Sequence, residues 1–313
     1  MAGREAVRGR ALDSTVARTP PDSQRTAPRG GSDIRVAHSR CGGESQVTMR
    51  RIQLFEFEDQ RWLPWWVRDA ITAHLAHVFL SQAVEPLHEA MAEQIAGLLT
   101  RSGAAHIVDL CSGSGGPLPA VLPLVSKKRG CVVTATFTDL YPNRHLSDPD
   151  VENPDWMTVE RRPVDARSAP LEAVGVRTMF NAIHHFPPED VAEILRNATR
   201  FGRAVAIFEP FERRHRLALK LAAGGLRGGW RDARNYRGPV VRAAALHLLL
   251  PVALSWDGAV SVLRSYKTSE LLAIAEGACV SAEFDWQAQQ LRLPWGALTL
   301  LTGEPRAGST TCG

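Results

Sequence analysis

The stretch Ile107-Val-Asp-Leu-Cys-Ser-Gly-Ser-Gly-Gly-Pro117 decides the fold. Its apolar part predicts a buried strand that ends in Asp109, and its glycine-rich part predicts a turn that leads into a helix. Gly113 and Gly115 allow the backbone to approach a ligand, because no Cβ stands in the way. The start of the helix offers free N–H groups. Ligands of open α/β sheets bind beyond the carboxyl ends of the strands, so this turn predicts a ligand site.

On both sides of this turn, strand and helix patterns alternate. Strands rich in apolar and β-branched residues are predicted over 105–110, 131–138, 156–161, 176–181 and 204–209. Helices are predicted between them over 117–125 and 188–199, and two more within 62–100. This order is typical of a parallel sheet with helices on both faces. We therefore expect the α/β class, with a Rossmann-like doubly wound sheet and N-terminal helices.

The alternation breaks after the fifth strand. Residues 213–254 predict a helical insertion of two helices, separated by a Gly/Arg-rich loop at 224–238. One further helix and a closing strand pair are predicted at 268–277, 281–291 and 297–302. The expected sheet is mostly parallel, with an antiparallel last strand.

Polar residues stand at the carboxyl ends of successive strands. Asp139 ends the second strand, where a carboxylate can accept hydrogen bonds from both hydroxyls of a ribose. Asp165 follows the third strand and can accept from an exocyclic amine of a purine. Asn181 ends the fourth strand, and Glu209 ends the fifth. These residues extend the predicted site across the edge of the sheet.

Two histidines, His184 and His185, follow the fourth strand. An imidazole titrates near neutrality and can serve as a general base. The pair can equally pack the loop and cap the next helix. The catalytic residues therefore stay open, with these two histidines as the candidates.

These motifs resemble those of the class I S-adenosylmethionine-dependent methyltransferases. The first motif is similar to their Asp/Glu-x-Gly-x-Gly-x-Gly signature, with Cys111 in place of the first glycine. The resemblance covers residues 85–210, and 255–302 more loosely. It implies S-adenosyl-L-methionine as cofactor, with Asp139 at its ribose and Asp165 beside its adenine. The cofactor-binding residues that it implies are Asp109, Cys111, Ser112, Gly113, Gly115, Asp139, Leu140, Asp165, Ala166 and Asn181.

The resemblance implies transfer of a methyl group to an acceptor that the sequence does not identify, with a small or lipid-like molecule favoured. An RNA methyltransferase is the first alternative, since the pI is about 9.0, but no Asp/Asn-Pro-Pro-Tyr-like motif follows the fourth strand. A nicotinamide-dependent oxidoreductase is the second, although Gly113-Ser-Gly-Gly-Pro-Leu departs from Gly-x-Gly-x-x-Gly. A non-catalytic nucleotide-binding module is the third, because a fold does not imply an activity.

The composition limits the classes of protein to which the chain can belong. The chain has 313 residues, a formal net charge of +4 and 44% hydrophobic residues, which suit a soluble globular domain. Five widely spaced cysteines form no disulfide framework and no zinc motif, so reduced thiols, a cytoplasmic location and no metal are expected. The apolar stretch 240–256 is interrupted by a charged residue and a proline, and we expect a buried or interfacial helix there. Contact of this insertion with a membrane surface stays open.

We expect three regions along the chain. Residues 1–48 are rich in Arg, Ser, Gly and Pro and predict a disordered tail. Residues 49–305 predict the methyltransferase domain, with a helical lid at about 213–256. Residues 306–313 predict a flexible C-terminal tail. The sequence does not indicate an oligomeric state. A positive net charge could suit nucleic acid, but much of the excess lies in the N-terminal tail, so nucleic acid is not the expected partner.

Overall fold

A computed structural model of the chain describes residues 36–37, 50–81, 84–148, 150, 152–169, 175–200, 203–278, 284–293 and 296–306. The strands in this part are β1 (Val36–Ala37), β2 (His106–Leu110), β3 (Thr134–Thr138), β4 (Met157–Val159), β5 (Val176–Phe180), β6 (Val205–Glu209), β7 (Phe284–Leu293) and β8 (Gly296–Pro305). The α-helices are α1 (Trp65–Phe79), α2 (Glu85–Ser102), α3 (Leu118–Arg129), α4 (Pro188–Thr199), α5 (His215–Asn235), α6 (Val240–Arg264) and α7 (Thr268–Ala278).

The strands form one sheet in the order β1-β7-β8-β6-β5-β2-β3-β4. Strand β2 is parallel to both β3 and β5, so that Ile107 lies beside Ala135 on one side and Val176 on the other. The chain builds the sheet from β2 outward through β3 to β4, and then returns to the other side of β2 to form β5 and β6, as in a doubly wound sheet. The switch point of the sheet therefore lies between β2 and β5. Strand β8 runs antiparallel to β6 and β7. The predicted Rossmann-like sheet, mostly parallel with an antiparallel last strand, is confirmed.

Helices cover both faces of this sheet. Helices α2 and α3 bury Leu98 and Val121 on one face, against Phe137 of the sheet. Helices α4 and α7 bury Ile194 and Leu271 on the other. Every residue of β5 and β6 is buried, because helices cover both sides of these central strands. The two apolar layers therefore fix the carboxyl ends of the central strands, where the site lies.

The insertion after β6 differs from its sequence-based prediction. The Gly/Arg-rich segment 224–238 was expected to be a loop. This prediction is wrong for residues 224–235, since α5 continues through Gly224, Gly225, Gly228 and Gly229 to Asn235, and only 236–239 connect α5 to α6. A Cβ at Gly225 would overlap the carbonyl of Leu254, and one at Gly229 would lie only 2.5 Å from the Cα of Pro251. The glycines therefore allow α5 to pack closely on α6, which outweighs their low helix propensity.

Helix α6 is longer than its apolar core suggested. It has 25 residues and continues to Arg264, beyond the lid boundary expected near 256. By length and composition it is the one helix in the described ranges that could cross a membrane, and half of its most apolar window is buried in the protein. Its outer face exposes Val241, Leu248 and Val252. Half-buried packing agrees with the expected buried or interfacial helix.

The N-terminal tail falls largely outside the described residues. Within 1–48 the structure describes Val36–Ala37, which pair antiparallel with β7. The predictions of disorder for the rest of that segment, and of a flexible tail at 307–313, lie outside the described residues. The compartment also stays a prediction.

The close packing of α5 on α6 predicts opposite effects for two adjacent glycines. Gly225→Ala should lower the free energy of unfolding by about 1–3 kcal/mol, because its Cβ meets the backbone of α6. Gly224→Ala is the matched control: a Cβ there meets nothing within 4 Å, and alanine in a helix interior gains about 0.5–1 kcal/mol over glycine. Urea unfolding followed by circular dichroism measures both changes. Equal effects of the two substitutions would contradict the packing of this helix pair.

Candidate active site

The glycine-rich turn after β2 depends on a run of left-handed backbone conformations. Cys111, Gly113, Gly115 and Gly116 have φ angles of 57°, 52°, 98° and 52°. The position that the motif gives to glycine therefore keeps its left-handed conformation with a cysteine in place. Burial raises the pKa of the Cys111 thiol well above its usual value, so it is not a thiolate nucleophile.

The carboxylate of Asp139 holds this turn against the end of β3. Its Oδ2 accepts from the amide of Gly113 at 2.8 Å, and its Oδ1 accepts from the amide of Tyr141 at 2.7 Å. Burial raises the pKa of Asp139, and the two amide donors oppose that effect. Each carboxylate oxygen retains a second lone pair, so Asp139 can still accept hydrogen bonds from ligand hydroxyls.

A cavity of about 520 Å³ lies over the carboxyl ends of β2, β3 and β5. We call it the cofactor cavity, after the cofactor that the sequence predicts. It brings together six of the ten residues for which the sequence predicted cofactor binding, namely Cys111, Ser112, Gly113, Asp139, Leu140 and Asn181. These six residues lie together at the switch point of the sheet, and cofactor binding there stays a prediction.

The other four predicted residues do not line this cavity. Asp109 is buried beneath the turn, where its Oδ1 accepts from the hydroxyl of Thr178 at 2.7 Å. Gly115 shapes the turn, and a Cβ there would lie 3.2 Å from the ring of Pro119. Asp165 is engaged by Arg167, whose Nη2 lies 2.6 Å from its Oδ2, and Ala166 is buried next to it. Arg167 lines the cavity where Asp165 was expected to do so.

Asn181 is unusual in both its backbone conformation and its side-chain hydrogen bonding. Its φ is 53°, which is uncommon for a residue other than glycine. Its Oδ1 is buried and has no hydrogen-bond partner in the structure. Such an unsatisfied buried acceptor is costly unless a ligand donates to it, and Asn181 lines two cavities at once.

The second of these cavities, with a volume of about 1220 Å³, lies between the C-terminal half of α1 and the α5–α6 pair. We call it the acceptor cavity, after the methyl acceptor that the sequence predicts. Its walls are largely apolar and come from α1, α2, α5 and α6, with Ile71, Leu75, Val78, Phe79, Leu87, Leu217, Leu221 and Leu254 among them. Five residues line both cavities, namely Glu58, Leu75, Phe79, Asn181 and His185. The two cavities therefore adjoin.

His184 lines the acceptor cavity and is fully buried. Its Nδ1 lies 2.8 Å from Oε2 of Glu209, at the end of β6, and Oε1 of the same carboxylate accepts from the amide of Ile183 at 3.0 Å. A carboxylate at Nδ1 favours a proton on that nitrogen. Nε2 of His184 has no hydrogen-bond partner in the structure, so this nitrogen can accept a proton.

His185 occupies a different electrostatic environment, although its ring lies 4.4 Å from that of His184. Its Nδ1 lies 2.7 Å from Asp59 and 3.3 Å from Glu56. Burial alone would lower the pKa of His185, but the carboxylates of Glu56, Asp59 and Glu58 outweigh it and raise the pKa to about 10. His185 is therefore a cation at neutral pH and not a base.

The sequence-based prediction missed the acids that reach these histidines. They come from residues 51–59, a segment that passes over the site and that we call the strap. Burial raises the pKa of Glu58, which lines both cavities, to about 7. Backbone amides of Phe57 and Glu58 donate to Asp257 of α6, at 2.7 and 3.3 Å. The alternation Phe-Glu-Phe-Glu-Asp at 55–59 was the available signal, because charged residues between aromatic ones suggest a segment with one buried side.

One cluster in the site has the composition of a metal centre. Glu56, His184 and His185 each present a ligand atom, and these atoms lie within 4.8 Å of one another. However, Nη1 of Arg264 lies 3.4 Å from Oε1 of Glu56, and His185 is held as a cation. Two positive groups already neutralise the carboxylates, so the cluster fits an ion-pair network better than a metal site.

The buried carboxyl of Asp109 predicts a pH dependence of stability. Burial raises its pKa to about 7, against about 3.9 in an unfolded chain. The folded state therefore binds the proton of Asp109 more tightly than the unfolded state does. The resulting contribution to the free energy of unfolding is complete below about pH 4 and is lost as the pH rises through about 7. Asp109→Asn keeps an acceptor for Thr178 but carries no charge. The free energy of unfolding of the wild type should therefore fall, relative to this variant, between pH 5 and pH 8.

Urea unfolding at pH 5, 6.5 and 8 tests this expectation. Asp155→Asn, at an exposed acid, is the control for the loss of one negative charge. A difference between wild type and Asp109→Asn that stays constant over this range would show that burial does not shift the pKa of Asp109.

No family model matches the chain, and no curated protein matches it. An O-methyltransferase family protein from Burkholderia thailandensis is 17% identical over 72% of this chain and 58% of its own, with a TM-score of 0.40. The mitomycin 7-O-methyltransferase MmcR is 16% identical over 80% of this chain and 70% of its own, with a TM-score of 0.39. Human N-acetylserotonin methyltransferase, in complex with SAM, is 12% identical over 80% of this chain and 69% of its own, with a TM-score of 0.40. The match spans less than two thirds of the Burkholderia protein, and the function of this chain is inferred from its own site.

Proposed function

We propose that this chain is an S-adenosyl-L-methionine-dependent methyltransferase that acts on a small-molecule acceptor. The observation that carries the proposal is the junction of two cavities. One lies on the glycine-rich turn with Asp139, and the other is deep and apolar, with the free nitrogen of His184 on its wall. A methyl donor and an acceptor held in adjoining cavities meet the requirement of the reaction for proximity and orientation.

The cofactor cavity suits S-adenosyl-L-methionine in its polar groups. Asp139 retains acceptor capacity for ribose hydroxyls, and Oδ1 of Asn181 lacks a donor. The cavity is lined by the carboxyl groups of Glu58, Asp59, Asp69, Asp139 and Asp190 and by the cations Arg68, Arg167, His185 and Arg264. Arg167 pairs with Asp190, and His185 and Arg264 pair with Asp59, which leaves Asp69 and Asp139 without an ion-pair partner among the described residues. Acids favour a ligand with a sulfonium and an ammonium group, because opposite charges attract more strongly where water is partly excluded.

The same site disfavours a nicotinamide dinucleotide. A diphosphate is usually bound by free N–H groups at the start of the helix after the turn. Here α3 begins beside Pro117 and contains Pro119, and proline has no N–H. The amide of Leu118, between them, already donates to the carbonyl of Gly115 at 3.3 Å. The first turn of α3 therefore offers few donors to a diphosphate, which weighs against the oxidoreductase alternative.

A hydroxyl acceptor fits the residues at the junction. When bound, S-adenosyl-L-methionine supplies an electrophilic methyl group on its sulfonium. Nε2 of His184 would take the proton of the acceptor hydroxyl as its oxygen attacks, and the Glu209 carboxylate at Nδ1 would stabilise the resulting imidazolium. His185, already protonated, would instead hold the strap acids in place. The largely apolar walls favour a small organic acceptor over an RNA strand.

Binding of S-adenosyl-L-methionine should depend on Asp139. We expect isothermal titration calorimetry to give micromolar affinity (about −8 kcal/mol) for the wild type and at least about tenfold weaker binding for Asp139→Ala. Asp139→Asn, which keeps one acceptor oxygen, should fall between them. Circular dichroism checks that each variant folds, and Asp155→Ala at an exposed site is the matched control. Absence of binding to the wild type would overturn the proposal, and binding of NADH instead would favour the oxidoreductase.

His184 should be needed for turnover and not for cofactor binding. The acceptor is first sought by measuring S-adenosylhomocysteine formation with a panel of phenols, hydroxy acids and long-chain alcohols. With an acceptor found, His184→Gln should lower kcat about 100-fold or more, while the Kd for S-adenosyl-L-methionine stays unchanged. Glu209→Gln should lower kcat less, because it removes only the partner of the imidazole. Unchanged kcat in His184→Gln would exclude His184 as the base.

A further inference from the structure

A row of cations lines one wall of the acceptor cavity. Helix α5 contributes Arg216, Lys220, Arg227 and Arg234 to that wall. Lys220, Arg227 and Arg234 are seven residues apart, a spacing that keeps side chains on nearly the same face of a helix. With a rise of 1.5 Å per residue, the row from 216 to 234 spans about 27 Å. The wall is therefore an elongated cationic surface.

The four cations of this row have no ion-pair partner among the described residues. Two other cations on the wall are neutralised locally, Arg214 by Glu212 and Arg231 by Asp232. The cations of the row, in contrast, have no described carboxylate within the 4.0 Å of an ion pair. All four are exposed to solvent, but they also line the cavity, together with the apolar Ile71, Leu75 and Val78 of α1.

The other end of the same cavity carries acids whose charge is balanced or suppressed within the protein. Glu56, Glu58 and Asp257 line it near the junction with the cofactor cavity. Glu56 is almost completely buried and pairs with Arg264 and His185, and burial raises the pKa of Glu58 to about 7 and that of Asp257 to about 8. An anionic group would therefore be attracted to the α5 wall, where the positive charge is not balanced in this way. The cavity thus orients a ligand that is anionic at one end and uncharged at the other.

We infer that the acceptor is an elongated anionic amphipath, a molecule with an apolar body and a carboxylate or phosphate. Its anion would contact the α5 cations, its body the apolar wall of α1, and its neutral nucleophilic end would reach the junction. The identification of this ligand as the methyl acceptor rests on the proposed function. The charge and shape of the cavity would select the same class of ligand without turnover.

The test compares probes that have similar apolar chains and either a charged or an uncharged head group, without S-adenosyl-L-methionine. Decanoate and decyl phosphate should bind the full chain at least about tenfold more tightly than decanol, as calorimetry measures. In Lys220→Gln/Arg227→Gln this preference should disappear while decanol binding stays the same. Arg196→Gln/Arg237→Gln removes two exposed cations outside the cavity and should keep the preference. Inorganic phosphate alone should bind weakly, because it has no apolar body.

Several outcomes would overturn the inference. Equal affinity for decanoate and decanol would show that the α5 cations do not select the ligand. Loss of the preference in the control pair would show that net charge, and not position, is responsible. Sedimentation with phosphatidylcholine vesicles that contain phosphatidylglycerol, in the absence of decanoate binding, would assign the cations to a lipid surface. Decanoate binding without S-adenosyl-L-methionine binding would retain the amphipath site and reject only the methyl transfer.

Discussion

The site depends on one buried guanidinium, that of Arg264. Its side chain is 2% exposed, and such a charge is strongly unfavourable unless it is paired and fully hydrogen-bonded. Nε donates to the carbonyl of His184 at 3.1 Å, Nη1 lies 2.7 Å from Asp59, and Nη2 donates to the carbonyl of His185. Arg264 thus joins the end of α6, the strap and the histidine loop, three segments that are far apart in sequence. The end of α6 is therefore anchored where the chemistry is proposed.

The same network gives two adjacent histidines opposite properties. His184 is hydrogen-bonded to Glu209 through Nδ1, while its Nε2 has no hydrogen bond in the structure and lies 3.8 Å from Oε1 of Glu56. His185 meets a group of strap acids, which hold it as a cation. Burial alone would raise the pKa of Asp59, but His185 and Arg264 outweigh it and hold that pKa well below its usual range. Division of charge between neighbouring groups is how proteins separate a base from a structural cation.

Sequence reasoning succeeded where the signal is local and failed where it is tertiary. The glycine turn and the position of Asp139 and Asn181 at the cavity could be predicted, because backbone conformation and strand ends constrain residue type directly. The continuity of α5 was missed, since only the approach of α6 explains glycines within a helix. Asp165 was assigned to the ligand because its position fits, but Arg167, two residues on, engages its carboxylate. The strap acids were missed because their partners lie some 130 to 200 residues away.

The charged groups that line the two adjoining cavities differ from one end to the other. The cofactor cavity holds Asp69 and Asp139 without an ion-pair partner among the described residues, the junction holds Nε2 of His184, and the α5 wall of the acceptor cavity carries cations that have no described carboxylate partner. A cationic donor and an anionic acceptor would each be attracted to its own end. Only the uncharged nucleophilic end of the acceptor would then approach the donor. In a methyl transfer the sulfonium loses its charge as the new bond forms, so acids beside it stabilise the bound donor more than the product. We therefore expect these acids to select and position the donor. The rate of methyl transfer would depend on the proximity of donor and acceptor and on His184 as the base.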